Sequence, residues 1–209
     1  MTSVAIFDRD ATVIDVVRDE EAGVVTVAFH PDQLRILPGA IEGMRALQEA
    51  GYALAIATNQ PGPAKGQFSA SAVKRTNDAL VGMLAAAGVR IGSVEACMHH
   101  PEGGPGGDAA LVRACECRKP RAGMLNAIVE RLGADRAGSW MIGDGTADLR
   151  AGRAAALRTA LILAPNRCEL CPLRSAPTGL EPDVVGATLS DIAASICGHA
   201  WMSRGTSNA

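Results

Sequence analysis

The sequence predicts an α/β fold, with a mainly parallel central sheet flanked by helices. Three observations carry this. Short apolar runs alternate with amphipathic stretches of helical period along the 209 residues, the pattern of strands joined by right-handed helical crossovers. The runs are apolar at consecutive positions, as strands buried on both faces are. Three of them end abruptly in polar clusters, Asp8/Asp10, Thr58/Asn59 and Asp144/Asp148. The C-terminal ends of neighbouring parallel strands gather on one edge, where open α/β sheets bind ligands.

Each element has its own warrant. Val4-Ala5-Ile6-Phe7 is the first strand, and it runs into Asp8-Arg9-Asp10-Ala11-Thr12. Val24 to Phe29 after Gly23 reads as a short β element, a hairpin flap beside Asp8. Ile41, Met44, Leu47 and Ala50 fall on one helix face, which Gly51 closes in a left-handed cap. Tyr52 to Ala57 is the second strand, and Pro61-Gly62-Pro63 with Lys65-Gly66 a loop. Ser69 can cap a helix to about Ala87, with Val73, Leu80, Met83 and Leu84 as its apolar set and Gly88 as its stop. Ser93 to Met98 is a weaker third strand, followed by a Gly- and Pro-rich excursion from His99 to Asp108. Met124, Leu125, Ile128, Val129 and Leu132 mark a helix stopped by Gly133, and Ser139 to Ile142 a fourth strand. An Ala-rich helix leads to a fifth strand at Thr159 to Leu163. The remainder is polar and Pro-rich, with a modest helix from Leu189 to Ile196. These elements make one domain over residues 1–197 and a frayed tail over 198–209.

Composition excludes several classes. The formal net charge is −2 and no basic block occurs, which speaks against nucleic-acid binding; an aromatic content of 3% offers no base-stacking surface. The longest apolar stretches, such as Ala79 to Val89, are too short to cross a bilayer. Met1-Thr2-Ser3 leads straight into the first strand without a basic n-region, so a soluble, cytoplasmic protein is expected. In that reducing setting the six cysteines are metal ligands or buried thiols rather than disulfides. The absence of a long apolar stripe in the tail favours a monomer.

Two carboxylates at i and i+2 after a buried strand point roughly the same way and repel, so they call for a cation or a shared proton. A polar turn is the bland alternative; the matching clusters on two further strands weigh against it. Asp8 and Asp144 together can bind Mg2+, which prefers hard carboxylate oxygens. A carboxylate can also act as nucleophile, and a second one as general acid and base. Thr58 and Asn59 can donate to phosphate oxygens, and Lys119 supplies a point charge for the same group.

Asp8-Arg9-Asp10-Ala11-Thr12, Thr58-Asn59, Lys119 and Gly143-Asp144-Gly145-Thr146-Ala147-Asp148 resemble, in order, the four motifs of the haloacid dehalogenase (HAD) superfamily phosphatases, whose fold is Rossmann-like. A finer pattern is similar to the heptose 1,7-bisphosphate 7-phosphatases within it. It comprises Thr58-Asn59-Gln60 with Lys65-Gly66, Cys97-Met98-His99-His100-Pro101-Glu102, and Cys115-Glu116-Cys117-Arg118-Lys119-Pro120. The resemblance covers about residues 4–165. Histidinol-phosphate phosphatases share much of it, usually with a shorter zinc loop. The resemblance implies Asp8 as nucleophile and Asp10 as general acid and base. It implies Mg2+ on Asp8, Asp144 and the Asp10 backbone carbonyl, and a phosphoryl group held by Thr58, Asn59, Gln60 and Lys119. Arg118 would contact the sugar or its second phosphate. It places the first strand between the second and the fourth, with no large cap. The substrate would be a small phosphorylated sugar in heptose and surface-glycan synthesis. Three departures bear on substrate more than on reaction: Ala11 for the usual Gly, Gly145 where the heptose enzymes carry Lys, and a stiffer Pro61-Gly62-Pro63.

Cys97-x-His99, fifteen residues, then Cys115-x-Cys117 supply three thiolates and one imidazole, a closed tetrahedral set of the structural zinc type. His100 is the alternative imidazole. Zinc would clamp a loop over residues 97–117 that has no apolar core of its own. Cys168-x-x-Cys171 lacks two partners and reads as structural or surface thiols. Asp148 is either a helix cap or a partner of the metal's waters. The competing class, a non-enzymatic phospho-acceptor domain, also uses strand-end Asp, Thr and Lys. Such domains are shorter, lack a zinc loop, and have no acid two residues after the acceptor.

Overall fold

The computed structural model describes residues 2–21, 23–163 and 179–205. In chain order the elements are β1 (Val4–Phe7), a hairpin of β2 (Val17–Asp19) and β3 (Val24–Thr26), α1 (Ala40–Glu49), β4 (Ala53–Asn59), α2 (Gly62–Lys65), α3 (Ala70–Ala86) and β5 (Ile91–Cys97). There follow α4 (Gly123–Leu132), β6 (Trp140–Gly143), α5 (Thr146–Ala154), β7 (Arg158–Ile162), β8 (Val184–Gly186) and α6 (Leu189–Gly205). Six of the strands form one parallel sheet in the order β5-β4-β1-β6-β7-β8. The expected position of the first strand, between the second and the fourth, is therefore the observed one.

Alternation along β1 divides the core. Ala5 and Phe7 join Met44 and Leu47 of α1, Leu80 and Leu84 of α3, and Ile192 and Ile196 of α6 on one face. Val4 and Ile6 join Leu125 and Ile128 of α4 and Ala151 of α5 on the other. All four β1 residues are fully buried, so the strand reads as a continuous apolar run. Truncating Phe7 to alanine would cost about 3–5 kcal/mol.

The caps match the sequence. The Ser69 side chain accepts from Ala72 N, and Gly51, Gly88 and Gly133 take positive φ after their helices. Four details differ. The expected loop after the second strand contains a single helical turn, α2; Pro63 fits there because a helix's first N–H groups have no partner to lose. The flap pairs only as far as Thr26, because Ala28 leaves the ladder to meet Arg9. Strand β8 is not legible as a strand, being three residues at the sheet edge. Helix α6 runs to Gly205 rather than ending near Ile196; Gly198 only weakens a helix, by about 1 kcal/mol. Cys168 and Cys171 lie outside the described residues.

Candidate active site

Asp8 follows β1 and Asp144 follows β6, and the pairing of those strands brings the two acids together; Asp8 N donates to Ile142 O at 2.9 Å. Asp148 enters from the first turn of α5, where its Oδ2 accepts from Gly145 N at 3.2 Å. It lies so close under β6 that a Cβ on Gly143 would stand 2.4 Å from its carboxyl carbon. Asp8, Asp144 and Asp148 each offer a carboxylate oxygen within 4.8 Å of the others. Three hard oxygens converging at the mouth of a sheet fit a small divalent cation.

The buried ammonium of Lys119 holds this corner together. Its Nζ stands 2.9 Å from Asp8 Oδ1 and 2.7 Å from Asp148 Oδ1, and donates to Ala57 O at 2.7 Å. Burial works to lower the Lys119 pKa, but the charges of Asp148 and Asp8 outweigh it and raise the pKa. Burial, then the charges of Asp8 and Asp148, push the Asp144 carboxyl up to about 8. Burial also lifts Asp148 to about 6, against the pull of Lys119. Three acids and one cation leave an excess of negative charge that a divalent ion would offset.

Asp10 occupies a separate arm. Its side chain is 12% exposed and faces the fully buried Arg9, whose Nε and Nη2 donate to Oδ2 and Oδ1 at 3.2 and 3.0 Å. Gln60 Nε2 donates to Asp10 Oδ2 at 2.7 Å and to Thr58 Oγ1 at 2.9 Å. Burial raises the Asp10 pKa, opposed by Arg9.

The sequence places Asn59 and Gln60 among the phosphate donors; here their carboxamides are engaged on the protein itself. Asn59 brackets the Lys119 backbone, donating to its carbonyl and accepting from its N–H, each at 3.0 Å. Gln60 is fully buried behind Thr58 and Asp10. Gln60 donates to Thr58 Oγ1, and the Thr58 hydroxyl in turn donates to Asp10 Oδ2 over a long 3.5 Å. Arg118 is brought beside Lys119 by the chain, and its buried Nη1 has no partner among the described residues. A guanidinium nitrogen left so is fit for an anionic ligand.

Cys97, at the end of β5, meets His99, Cys115 and Cys117 as the spacing predicts. The Cys117 Sγ lies 3.1 Å from Cys97 Sγ and 3.3 Å from both Cys115 Sγ and His99 Nδ1. His100 points elsewhere, its Nδ1 on the Glu102 backbone. Burial holds the Cys97 thiol above its ordinary value, as for a ligand whose proton a metal would displace.

Sequence reasoning missed Arg9 and Asn77, whose Oδ1 accepts from Arg9 Nη1 at 2.7 Å. A signal existed: Asn77 is a polar residue within the apolar stripe of Val73, Leu80 and Leu84. Asp148 is both helix cap and Lys119 partner.

A haloacid dehalogenase-like hydrolase family model matches residues 4–156, and the chain belongs to that family. Among curated relatives, the D-glycero-beta-D-manno-heptose-1,7-bisphosphate 7-phosphatase of Pseudomonas aeruginosa is 34% identical over 160 residues, 77% of this chain and 80% of its own. The Yersinia pestis enzyme of the same name is 36% identical over 160 residues, 76% and 79% of the two chains. The structure of D,D-heptose 1,7-bisphosphate phosphatase from B. bronchiseptica, complexed with magnesium and phosphate, superposes with a TM-score of 0.73 at 28% identity, covering 95% of this chain and 99% of that one.

Proposed function

We propose that the protein is a Mg2+-dependent phosphatase that removes the 7-phosphate of D-glycero-D-manno-heptose 1,7-bisphosphate, in the synthesis of heptose precursors for surface glycans. The observation that carries the reading is the Asp8 carboxylate. Its Oδ1 takes the Lys119 ammonium and the Arg9 N–H, at 2.9 and 2.6 Å, which orients Oδ2 for attack, while Asp10 stands two residues on with a partly open edge.

Asp8 attacks phosphorus, forming an aspartyl-phosphate as the bond from phosphorus to the sugar oxygen breaks, and Asp10 gives its proton to that oxygen. Water then attacks phosphorus and yields a proton to Asp10. The bond between Asp8 and phosphorus breaks, and phosphate leaves. Lys119 and the Thr58 hydroxyl hold the phosphoryl oxygens, and Arg118 receives the sugar or its second phosphate. Asp8, Asp144 and the Asp10 backbone carbonyl would hold Mg2+, which when bound offsets charge on the phosphoryl oxygens. Asn59 and Gln60 support Lys119, Thr58 and Asp10 from behind.

Cys97, His99, Cys115 and Cys117 would hold a structural zinc, and metal analysis of the purified protein should find one per chain. The reading carries no large cap over the site, which the flap and the Cys/His loop would bound. Among the described residues no helix is long and apolar enough to cross a membrane. A cytoplasmic monomer is proposed on the cysteine usage and the tail. The test is a panel of both anomers of heptose 1,7-bisphosphate, histidinol phosphate and fructose 1,6-bisphosphate. Heptose bisphosphate should have the highest kcat/KM; a preference for histidinol phosphate would overturn the assignment.

A further inference from the structure

Arg9 lies between the two catalytic acids in sequence, yet it is fully buried. A buried guanidinium needs an acceptor for each of its N–H groups. Four contacts serve four of its five N–H groups: Asp10 Oδ2 on Nε at 3.2 Å, Asp10 Oδ1 on Nη2 at 3.0 Å, Ala28 O on Nη2 at 2.7 Å and Asn77 Oδ1 on Nη1 at 2.7 Å. The first two grip both oxygens of Asp10 in the planar fork that only arginine presents. The other two tie the fork to separate elements. Ala28 belongs to the flap segment, whose next residue, Phe29, stacks on Phe68 with centroids 5.0 Å apart. Asn77 belongs to α3, is 8% exposed, and lies on the buried helix face that carries Val73, Leu80 and Leu84. Among the described residues the Asn77 side chain hydrogen-bonds to Arg9 and to none of the groups assigned to phosphate, sugar or metal, so the catalytic assignments leave it without a task.

We infer that Asn77 and Arg9 are positioning residues for the proton-transfer step: Asn77 fixes the Arg9 fork from α3, and the fork fixes the orientation of the Asp10 carboxyl toward the leaving oxygen. The inference rests on the phosphatase reading, in which Asp10 protonates the departing sugar oxygen while phosphorus passes to Asp8. An ester whose leaving group departs readily as an anion needs that proton least. Loss of the fork therefore harms a primary sugar phosphate more than an aryl phosphate.

The test compares kcat/KM, which reports every step through departure of the leaving group, for two esters. One is the primary sugar phosphate that the wild-type enzyme turns over fastest; the other is p-nitrophenyl phosphate. Asn77→Leu keeps the size of the side chain and removes the acceptor. It should lose about ten- to a hundredfold on the sugar ester and less than about threefold on the aryl ester, a part of what general acid catalysis supplies. Asn77→Asp keeps an acceptor and should retain the wild-type ratio between the two. Arg9→Lys, a point charge without the fork, should repeat the Asn77→Leu pattern and serves if that variant does not fold. Equal losses on both esters, as for a merely structural residue, or no loss on either, would overturn the inference. The phosphatase reading fails separately, by undiminished turnover of both esters in Asp8→Asn.

Discussion

Asp8, Asp144 and Asp148 stand on two strand ends and a helix cap, whereas three of the four Cys/His residues stand on a loop in which no residue from 98 to 118 is buried. The core fixes the acids where they are, so their mutual repulsion cannot relax, and Lys119 answers only part of it. The Cys/His loop has nothing comparable beneath it. Its glycines lie against the α2 backbone instead: Gly104 N donates to Ala64 O at 3.3 Å, and a Cβ on Gly107 would stand 2.0 Å from that oxygen. One corner is positioned by the fold and would gain charge balance from a cation. The other has its ligands placed by sequence spacing and would gain its fold from a cation. Metal removal should therefore act on chemistry at the first and on stability at the second.

The largest effect expected belongs to the acid corner. Asp8→Asn should cut Mg2+-dependent phosphate release by roughly 10⁴- to 10⁶-fold, the scale on which loss of a covalent nucleophile acts, while leaving the melting temperature near that of wild type. At the Cys/His corner the ranking reverses. Cys115→Ser, or stripping zinc, should cost about 3–5 kcal/mol of stability, lowering Tm by about 6–20 °C. A calorimetric scan that moved equally on removing either metal would erase the contrast.

A smaller and graded effect is expected with pH. Burial and the neighbouring acids raise Asp144 to about 8 in the folded chain, and burial raises Asp148 to about 6. The fold thus binds these protons more tightly than the unfolded chain does. Their stabilising contribution is fully present below the ordinary value of 3.8 and is lost as pH rises toward about 8. Urea midpoints of Mg2+-free protein should fall over that window, by at most about 1.4 kcal/mol per pH unit and proton, and saturating Mg2+ should flatten the slope. The smallest effect lies at Ala11, which takes φ 58°, the left-handed conformation that its departure from glycine puts under strain. Ala11→Gly should stabilise the protein by about 1 kcal/mol, read as a shift in the urea midpoint.

Legibility followed the same division. Strand ends carrying acids, and Cys/His pairs at fixed spacing, are local patterns, so Asp8, Asp10, Asp144 and the four Cys/His residues could be named before any coordinates. Hydrogen bonds across long separations leave weaker traces. Asn59 reads as a phosphate donor because its neighbour Thr58 does, but it grips the Lys119 backbone sixty residues away. Gln60 turns inward to donate to Thr58 Oγ1 and to Asp10 Oδ2, fifty residues away, beside the Arg9 fork on the same carboxylate. Strand β8 is stabilised by its register against Ala160 to Ile162 rather than by a pattern of its own.

The central claim is that Asp8 carries the phosphoryl group. Acid-quenching wild-type enzyme during turnover and sequencing its peptides by mass spectrometry tests that directly. The account predicts a phosphoryl group on the Asp8 carboxylate in wild type and none in Asp8→Asn. A phosphoryl group on another residue, or full turnover by Asp8→Asn, would contradict it.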